Sequence, residues 1–257
     1  KFEKKDIRIK DERIAEIAEH GALEATEEDV VDGAEMYAIP GLVDIHFHGA
    51  VGYDFCQASK EELLKIAEYE AKNGVLAICP ATMSYNEEIL GHIMDKAADY
   101  QEDTGADLVG INMEGPFINI KKAGAQNPEY IMPADKEMFL RLHDKVKISI
   151  AHTCCDYDTA CKALKKGASH MTHLYNAMPG INHREPGPVI AALEAGAEVE
   201  LIADGIHIHP AMVRTTFRIF GADKVILISD SMEATGLLDG DYQLGGQDVT
   251  VKGKKAV

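Results

Sequence analysis

Short apolar runs alternate with helical stretches through most of the chain. The runs are rich in β-branched residues, and in the stretches between them, such as Lys60–Asn73 and Tyr157–Lys166, apolar side chains recur at helical spacing. This alternation is typical of βαβ units and predicts an α/β fold of the TIM-like (βα)8 barrel type. The predicted strands are Leu42–His48, Val75–Met83, Leu108–Glu114, Val146–His152, His170–Leu174, Val199–Asp204 and Val225–Asp230.

Both ends of the chain alternate with a period of two, which predicts a β-hairpin at each end. Because these β-rich ends bracket the α/β block, we expect a small discontinuous β-sandwich domain built from residues 1–39 and 237–257. The barrel domain is then expected over residues 40–236. The predicted hairpin strands are Ile7–Lys10 with Arg13–Ile17, and Tyr242–Leu244 with Val249–Lys252.

The composition of the 257 residues allows one large domain, or one large and one small domain. Apolar residues make up 46% of the chain, and no apolar run reaches the roughly 18 residues of a membrane span. The net charge of −17 opposes binding to nucleic acid and to anionic lipid, so neither nucleic acid nor a membrane is an expected partner. The five cysteines form no CxxC pair, and we expect them to be reduced in a cytoplasmic protein.

Two histidines, His46 and His48, lie near the end of the first predicted barrel strand and precede Gly49. Residues two apart on a strand point to the same face, so both imidazoles can reach one metal ion at the mouth of a barrel. The alternative is a pair of satisfied polar residues at the barrel rim, and the HxH pattern alone leaves both interpretations open.

Titratable residues also collect at the carboxyl ends of the other predicted strands, which is the end where barrel active sites are built. Carboxylate and imidazole together are the ligands that a divalent ion prefers and the groups that acid–base catalysis requires. The pattern therefore predicts a metal-dependent active site. The residues in question are Glu114, His152, His173, Asp204, His207 and Asp230.

Six segments carry a resemblance to a known family. They are PGLVDIHFHG, NMEGPFIN with KKAGAQNPEY, SIAHTCCDYDTA, GASHMTHLYNAMPGINHREPG, LIADGIHIHP and LISDSMEATG, in this order. Together they resemble the N-acetylglucosamine-6-phosphate deacetylases of the amidohydrolase superfamily, from about residue 8 to the end of the chain. THLYNAMP and HREPG are the most specific parts, because most amidohydrolases share the HxH pattern.

The resemblance implies a role for each matching residue. Glu114, His152 and His173 are expected to hold the principal metal ion, and His46 with His48 a second ion. One or two divalent ions are thus expected, zinc first, with iron, cobalt or manganese also compatible. The acid–base group is expected to be Asp230, and the group that polarises the acetyl carbonyl His207. The substrate contacts are expected to be Asn176, Ala177, Ala125 and Arg184.

The same resemblance implies that Arg184 reaches the phosphate of a substrate in a neighbouring subunit, and hence a homodimer. It implies metal-dependent hydrolysis of the acetamide of a phosphorylated amino sugar. One alternative is an amidohydrolase that cleaves a different N-acyl substrate and does not need Arg184. A second alternative is a non-catalytic scaffold, although such scaffolds typically lose metal ligands and this sequence keeps every expected ligand.

The sequence departs from the family pattern in one place. The family carries another strand between the GAQNPEY and SIAH segments, whereas here the helical stretch before Asp144 passes directly into the strand that begins after Lys145. We therefore expect a segment to be missing near residues 144–145, which accounts for seven strands instead of eight. The terminal segment 237–257 is likewise expected to be truncated.

Overall fold

The structure is a computed structural model that describes residues 1–24, 30–102, 104–142, 147–253 and 255–256. The expected missing segment near residues 144–145 lies outside these residues. The chain divides into two compact units, Lys1–Pro40 and Gly41–Val257. No helix in the described part of the chain is long and apolar enough to cross a bilayer.

The elements in chain order are β1 Lys5–Lys10, β2 Arg13–Glu19, β3 Leu42–Asp44, β4 Gly49–Ala50, β5 Tyr53–Asp54, α1 Lys60–Lys72, β6 Val75–Ile78, α2 Glu87–Ala98, β7 Asp107–Leu108, α3 Lys136–Leu142, β8 Ser149–Ile150, α4 Tyr157–Lys165, β9 His170–Met171, α5 Gly187–Ala195, β10 Glu198–Ile202, α6 Pro210–Phe220, β11 Val225–Ile228, β12 Gly240–Leu244, β13 Gln247–Lys252 and β14 Lys255–Ala256.

In the first unit, β1 and β2 form the predicted antiparallel hairpin. The turn residues Asp11 and Glu12 both have positive φ, at 49° and 59°. Two consecutive residues in this conformation give a backbone twist that matches the twist of the flanking strands, which is why two-residue hairpin turns favour it. The hairpin prediction is confirmed here.

In the second unit, all seven predicted barrel strands are present, and each is shorter than predicted. They form two parallel sheets with the orders β3-β6-β7 and β11-β10-β9-β8. Beyond the ends of β3 and β11, Asp230 donates its backbone N–H to the carbonyl of His46 (2.9 Å), so the chain segments that follow these two strands also pair. The closed eight-stranded barrel is not confirmed by these sheets.

The two helices with predicted bounds, α1 and α4, begin at the predicted residue and end one residue earlier than predicted. Ser59 and Glu62 form a capping box at the start of α1, which satisfies two backbone N–H groups that have no partner within the helix. His209 caps α6 by accepting a hydrogen bond from the backbone of Ala211 at Nδ1 (3.1 Å), in line with its position before Pro210. These caps fix the helix ends next to the loops that follow the strands.

Two buried clusters hold the second unit together. The larger includes Phe47, Phe55, Ile66 and Leu90, which are all fully buried. Because Phe47 lies between the two histidines of the HxH pair, packing of its ring anchors the segment that carries them. The second cluster packs Met171, Leu174 and Val189 with residues of β10 and α6, namely Val199 and Phe220.

The predicted C-terminal hairpin is also present. β12 and β13 pair antiparallel around Gly245 and Gly246, whose φ values are 58° and 79°. Their three-stranded sheet with β14 is separate from the β1–β2 sheet. The β-sandwich prediction is therefore not confirmed by these sheets.

A buried carboxyl group on α1 gives a prediction about stability. Glu70 is 6% exposed, and burial together with the charge of Asp44 raises its pKa to about 7. A carboxyl group whose folded pKa exceeds its unfolded value lowers the free energy of unfolding as the pH rises from about 4.5 to 7. At about 1.36 kcal/mol per pKa unit, the penalty above pH 7 reaches at most about 3 kcal/mol.

We therefore expect Glu70→Gln to raise the thermal unfolding midpoint at pH 8 and to leave it nearly unchanged at pH 4.5. Thermal denaturation followed by circular dichroism at the two pH values measures the difference. Glu68→Gln, on a more exposed position of the same helix, serves as the matched control. An equal shift at both pH values would contradict the pKa assigned to Glu70.

Candidate metal centre and active site

The candidate ligands lie where the chain leaves the parallel strands. His152, His173 and Asp230 each follow a strand and have positive φ values of 39°, 27° and 51°. Such values are uncommon for residues other than glycine and interrupt the strand ladder, so the observed strands end before these residues although the apolar pattern continues. Each such residue costs of order 1–3 kcal/mol, and residues of this kind cluster at functional sites.

The first group of ligands, triad 1, consists of Glu114, His152 and His173. Glu114 Oε1 lies 2.9 Å from Nε2 of His152 and 2.9 Å from Nε2 of His173. The two imidazole nitrogens lie 3.0 Å apart. All three side chains are buried. Three atoms that can each offer a lone pair therefore converge on one point.

The second group, triad 2, consists of His46, His48 and Asp230. Asp230 Oδ1 lies 3.6 Å from Nε2 of His46 and 3.4 Å from Nε2 of His48. Glu114 stands between the triads, because its Oε1 lies 3.7 Å from His46 Nε2 and its Oε2 lies 3.4 Å from His48 Nε2. The structure thus brings Glu114, His152, His173 and Asp230 into one cluster with His46 and His48. The other two residues of the strand-end pattern, Asp204 and His207, pair with each other instead.

Residues that sequence reasoning missed hold these ligands in place. Gln126 donates to Glu114 Oε2 (2.6 Å) and accepts from the backbone N–H of Ser84 (2.6 Å). The Nδ1 atom of His152 hydrogen-bonds the carbonyl of Lys122 (2.6 Å). His46 is held through its own Nδ1 atom by Glu200 (2.9 Å).

A signal for one of these residues was present in the sequence. Glu200 is a charged residue in a strand whose neighbours Val199 and Leu201 are apolar, and a buried charge of this kind requires partners. Gln126 follows Ala125 directly, and nothing in its local sequence indicates that it faces Glu114.

The electrostatics of the cluster follow from burial and mutual contact. Burial alone would raise the pKa of Glu114, but the hydrogen bonds from His152 and His173 outweigh burial and hold that pKa well below its usual range. Burial opposes ionisation of Asp230 too, yet the contact with His48 and the charge of His46 lower its pKa to about 2. Burial would lower the pKa of His48, and the carboxylates of Asp230 and Glu114 raise it to about 9. Both carboxylates are therefore ionised at neutral pH.

The donor set fits a divalent metal ion. Tetrahedral ligands at 2.0–2.1 Å from an ion stand about 3.3 Å apart, close to the 2.9–3.0 Å spacing within triad 1. Nε2 of His46 is buried with no hydrogen-bond partner among the described residues and faces both carboxylates. Imidazole and carboxylate ligands suit zinc, iron, cobalt and manganese alike.

The predicted substrate residues occupy other positions. His207 is exposed, its Nδ1 lies 2.8 Å from Asp204 Oδ2, and it lines a cavity of about 290 Å³ with Tyr175, Ile208 and Met212. Asn176 donates from its side chain to the carbonyl of His173 (3.2 Å). Within the described residues, the imidazole of His207 pairs with Asp204, which belongs to neither triad.

The remaining predicted substrate residues lie on loops. The carbonyl of Ala177, a residue with φ of 50°, accepts a hydrogen bond from the backbone of Thr153 (3.1 Å). Arg184 is exposed, and its guanidinium donates to Nε2 of His183 (2.7 Å). Ala125 lies on the exposed loop between Gly124 and the buried Gln126. A Cβ atom at Gly124 would stand 3.2 Å from Cε1 of His152, so this loop packs directly on triad 1.

The chain is similar in sequence and in structure to known enzymes. No protein-family model matches the chain. The N-acetylglucosamine-6-phosphate deacetylase of Bacillus subtilis (strain 168) is 36% identical to the chain over 285 residues, which cover 98% of the chain and 72% of that protein. The N-acetylgalactosamine-6-phosphate deacetylase of Escherichia coli O157:H7 is 30% identical, over 96% of the chain and 72% of that protein.

A solved structure agrees with these relatives. A mutant N-acetyl-D-glucosamine-6-phosphate deacetylase from Mycobacterium smegmatis, in complex with N-acetyl-D-glucosamine-6-phosphate, matches with a TM-score of 0.79 at 29% identity. The match covers 85% of this chain and 64% of that chain, so this chain spans less than two thirds of its length. The alignment with the Bacillus protein is longer than the 257 residues of this chain, so that protein carries additional residues within the matched stretch.

Proposed function

This chain belongs to the N-acetylglucosamine-6-phosphate deacetylase family, and from that premise we propose that it hydrolyses the acetamide of N-acetylglucosamine-6-phosphate to glucosamine-6-phosphate and acetate. The observation that carries the proposal is the pair of adjacent triads, in which Glu114 of triad 1 also lies within 3.7 Å of both histidines of triad 2. A non-catalytic scaffold would not need six buried or half-buried ligating groups around one point.

In this proposal Glu114, His152 and His173 hold the principal ion, and His46 and His48 with Asp230 hold a second. When bound, such an ion supplies Lewis acidity and lowers the pKa of water toward 7. Zinc is our first choice, because the donor set and the tetrahedral spacing of triad 1 both suit it.

The reacting water attacks the carbonyl carbon of the acetamide, and Asp230 performs the proton transfers. Its carboxylate is ionised at neutral pH, so it accepts a proton from the attacking water and passes it to the departing amine nitrogen. We assign His207 to polarise the acetyl carbonyl, with Asp204 fixing the orientation of its ring through Nδ1. Cleavage of the C–N bond then releases acetate and the free amine.

The sugar phosphate is assigned to Asn176, Ala177, Ala125 and Arg184. Arginine offers a planar, permanently charged fork that suits phosphate, and it supplies positive charge locally in a chain of net charge −17. Arg184 is exposed, which leaves it free to reach a site in a second copy of the chain. We propose a homodimer in which each subunit supplies this arginine to its neighbour.

For the fold we propose that the two parallel sheets are arcs of one barrel, open between β7 and β8. The pairing of Asp230 with His46 beyond β11 and β3 supports one junction. The Bacillus relative carries additional residues within the matched stretch, as a missing segment requires, and we assign that segment to the neighbourhood of residues 144–145. Free cysteines throughout the described chain support a cytoplasmic location.

Deacetylation of N-acetylglucosamine-6-phosphate, with metal content measured on the same sample, tests the proposal. A panel that includes N-acetylgalactosamine-6-phosphate and unphosphorylated N-acyl compounds separates it from the alternatives. Selective hydrolysis of unphosphorylated N-acyl substrates would favour a different amidohydrolase, and a pure protein without metal and without activity would favour a scaffold.

Arg184→Ala is expected to raise KM about ten- to hundredfold for the phosphorylated sugar. A charge-assisted contact is worth about 1.5–3 kcal/mol, and only the phosphate can make it. N-acetylglucosamine without phosphate is expected to react at an unchanged rate. Steady-state kinetics with both substrates measures the difference, and Arg214→Ala on α6 is the matched control.

Mixed dimers decide which subunit supplies the arginine. If the arginine crosses the interface, a heterodimer of one Arg184→Ala chain and one Asp230→Asn chain has one site with both lesions and one site with neither. Activity at low substrate should then stay near half of the wild-type value. Activity well below one half would show that Arg184 serves its own subunit, because each site then carries one lesion.

A further inference from the structure

Glu200 is a buried carboxylate outside both triads. It lies on β10 and is 1% exposed, while its strand neighbours Val199 and Leu201 are fully buried and apolar. Removing a carboxylate from water costs several kcal/mol unless hydrogen bonds and opposite charges compensate. The surroundings of Glu200 must therefore supply compensating donors.

Both oxygens of Glu200 accept hydrogen bonds. Oε2 accepts from Nδ1 of His46 (2.9 Å) and from the backbone N–H of His173 (3.1 Å), and Oε1 pairs with Nε2 of His170 (3.0 Å). The backbone carbonyl of Glu200 accepts in addition from Leu174 (2.9 Å). One oxygen thus holds the ring of a triad 2 ligand and the main chain of a triad 1 ligand.

We infer that Glu200 is a positioning residue that keeps a proton on Nδ1 of His46, directs Nε2 of that ring toward the metal centre, and couples the two triads. With Nδ1 occupied as a donor, Nε2 is the ring nitrogen that faces Glu114 and Asp230. A hydrogen-bond partner on the other ring nitrogen of a metal-ligating histidine orients the ring and raises its basicity in this way. The inference rests on the proposed function, since it assumes that both triads hold metal.

His170 completes the arrangement on the far side of Glu200. This residue begins β9, is buried, and lies with its Nε2 atom against Oε1 of Glu200. The hydrogen bonds from His170 and His46 outweigh burial and lower the pKa of Glu200 to about 2.

The test compares Glu200→Gln, Glu200→Leu and the control Glu198→Gln, which changes a carboxylate two residues away on the same strand. Zinc titration of the metal-free proteins by calorimetry gives the number and affinity of ions. We expect the second ion to bind about tenfold more weakly in the Gln variant and up to about a hundredfold more weakly in the Leu variant. The loss is smaller in the Gln variant because its amide oxygen can replace Oε2 as the acceptor while its NH2 group faces His170. Leucine offers no acceptor to His46.

A second readout needs no metal. In metal-free wild-type protein labelled with ¹⁵N-histidine, the Nδ1 proton of His46 should exchange slowly. Its resonance should move upfield in Glu200→Gln, because an amide oxygen is a weaker acceptor than a carboxylate. In Glu200→Leu the proton should exchange rapidly with water.

Several outcomes overturn the inference. If Glu200→Gln binds both zinc ions with wild-type affinity, Glu200 does not position the metal ligands. A lower unfolding temperature in that variant would then show only that Glu200 stabilises the fold. An unchanged His46 Nδ1 resonance in that variant would do the same, and the Gln variant decides the question if the Leu variant does not fold. Wild-type protein that binds no zinc would refute the proposed function instead, and the resonance of His46 would still test Glu200.

Discussion

Glu114→Gln is expected to abolish binding of both metal ions at micromolar concentrations and to reduce turnover by more than a hundredfold. Changes in residues that only hydrogen-bond a ligand already weaken metal binding about 10–100-fold. Glu114 is itself a candidate ligand in triad 1, and it also contacts His48 of triad 2. An amide keeps the shape of the carboxylate and loses the charge that offsets the surrounding imidazoles. Inductively coupled plasma analysis of the dialysed variant, together with the deacetylation rate, measures both effects.

Glu87→Gln is the control for Glu114→Gln, because it removes a carboxylate that pairs with Arg141 on the surface. This control should retain the metal content and the rate of the wild-type protein. Full metal stoichiometry in purified Glu114→Gln would contradict the assignment of Glu114 as a metal ligand.

Asp230→Asn is expected to preserve the fold and the ion of triad 1 and to lower kcat by roughly 100- to 10,000-fold. The amide cannot accept the proton of the attacking water, and general acid–base groups contribute a factor of this size. Asparagine tolerates the positive φ of position 230, so the substitution separates the loss of chemistry from a change in backbone strain. Asp230→Ala would combine the two effects.

Asp11→Asn is a control matched in backbone conformation, since Asp11 also has positive φ and lies in the exposed turn of the first hairpin. Its unfolding temperature and its activity should equal those of the wild-type protein. Near-normal kcat in a metal-loaded Asp230→Asn sample would remove Asp230 from the mechanism.

Much of the architecture followed from the spacing of apolar residues. The helices α1 and α4 and both hairpins lie within a residue or two of their predicted bounds, because capping residues and two-residue turns are local signals. The strands were predicted too long. His152, His173 and Asp230 continue the apolar runs, and nothing in their local sequence shows that the backbone turns into positive φ there.

Some residues of the candidate site could be predicted from the local sequence, and others could be found only in the folded structure. The strand-end positions and the resemblance led to the six clustered groups, since parallel strands bring their carboxyl ends to one edge. The contacts of Gln126 with Glu114 and of Glu200 with His46 span 12 and 154 positions in the chain. Such partners depend on how loops and strands pack, so a single sequence does not reveal them.

The positive φ values at His152, His173 and Asp230 also bear on how this site can change in evolution. At these positions selection acts on the backbone as well as on the ligand, because most side chains are disfavoured in the left-handed region and glycine, asparagine and aspartate are tolerated. A lineage that lost a metal ligand here would be favoured to pass through glycine or asparagine rather than through alanine or a β-branched residue. Few substitutions are therefore acceptable at these three positions. Descendants that no longer bind metal are expected to carry glycine or asparagine there.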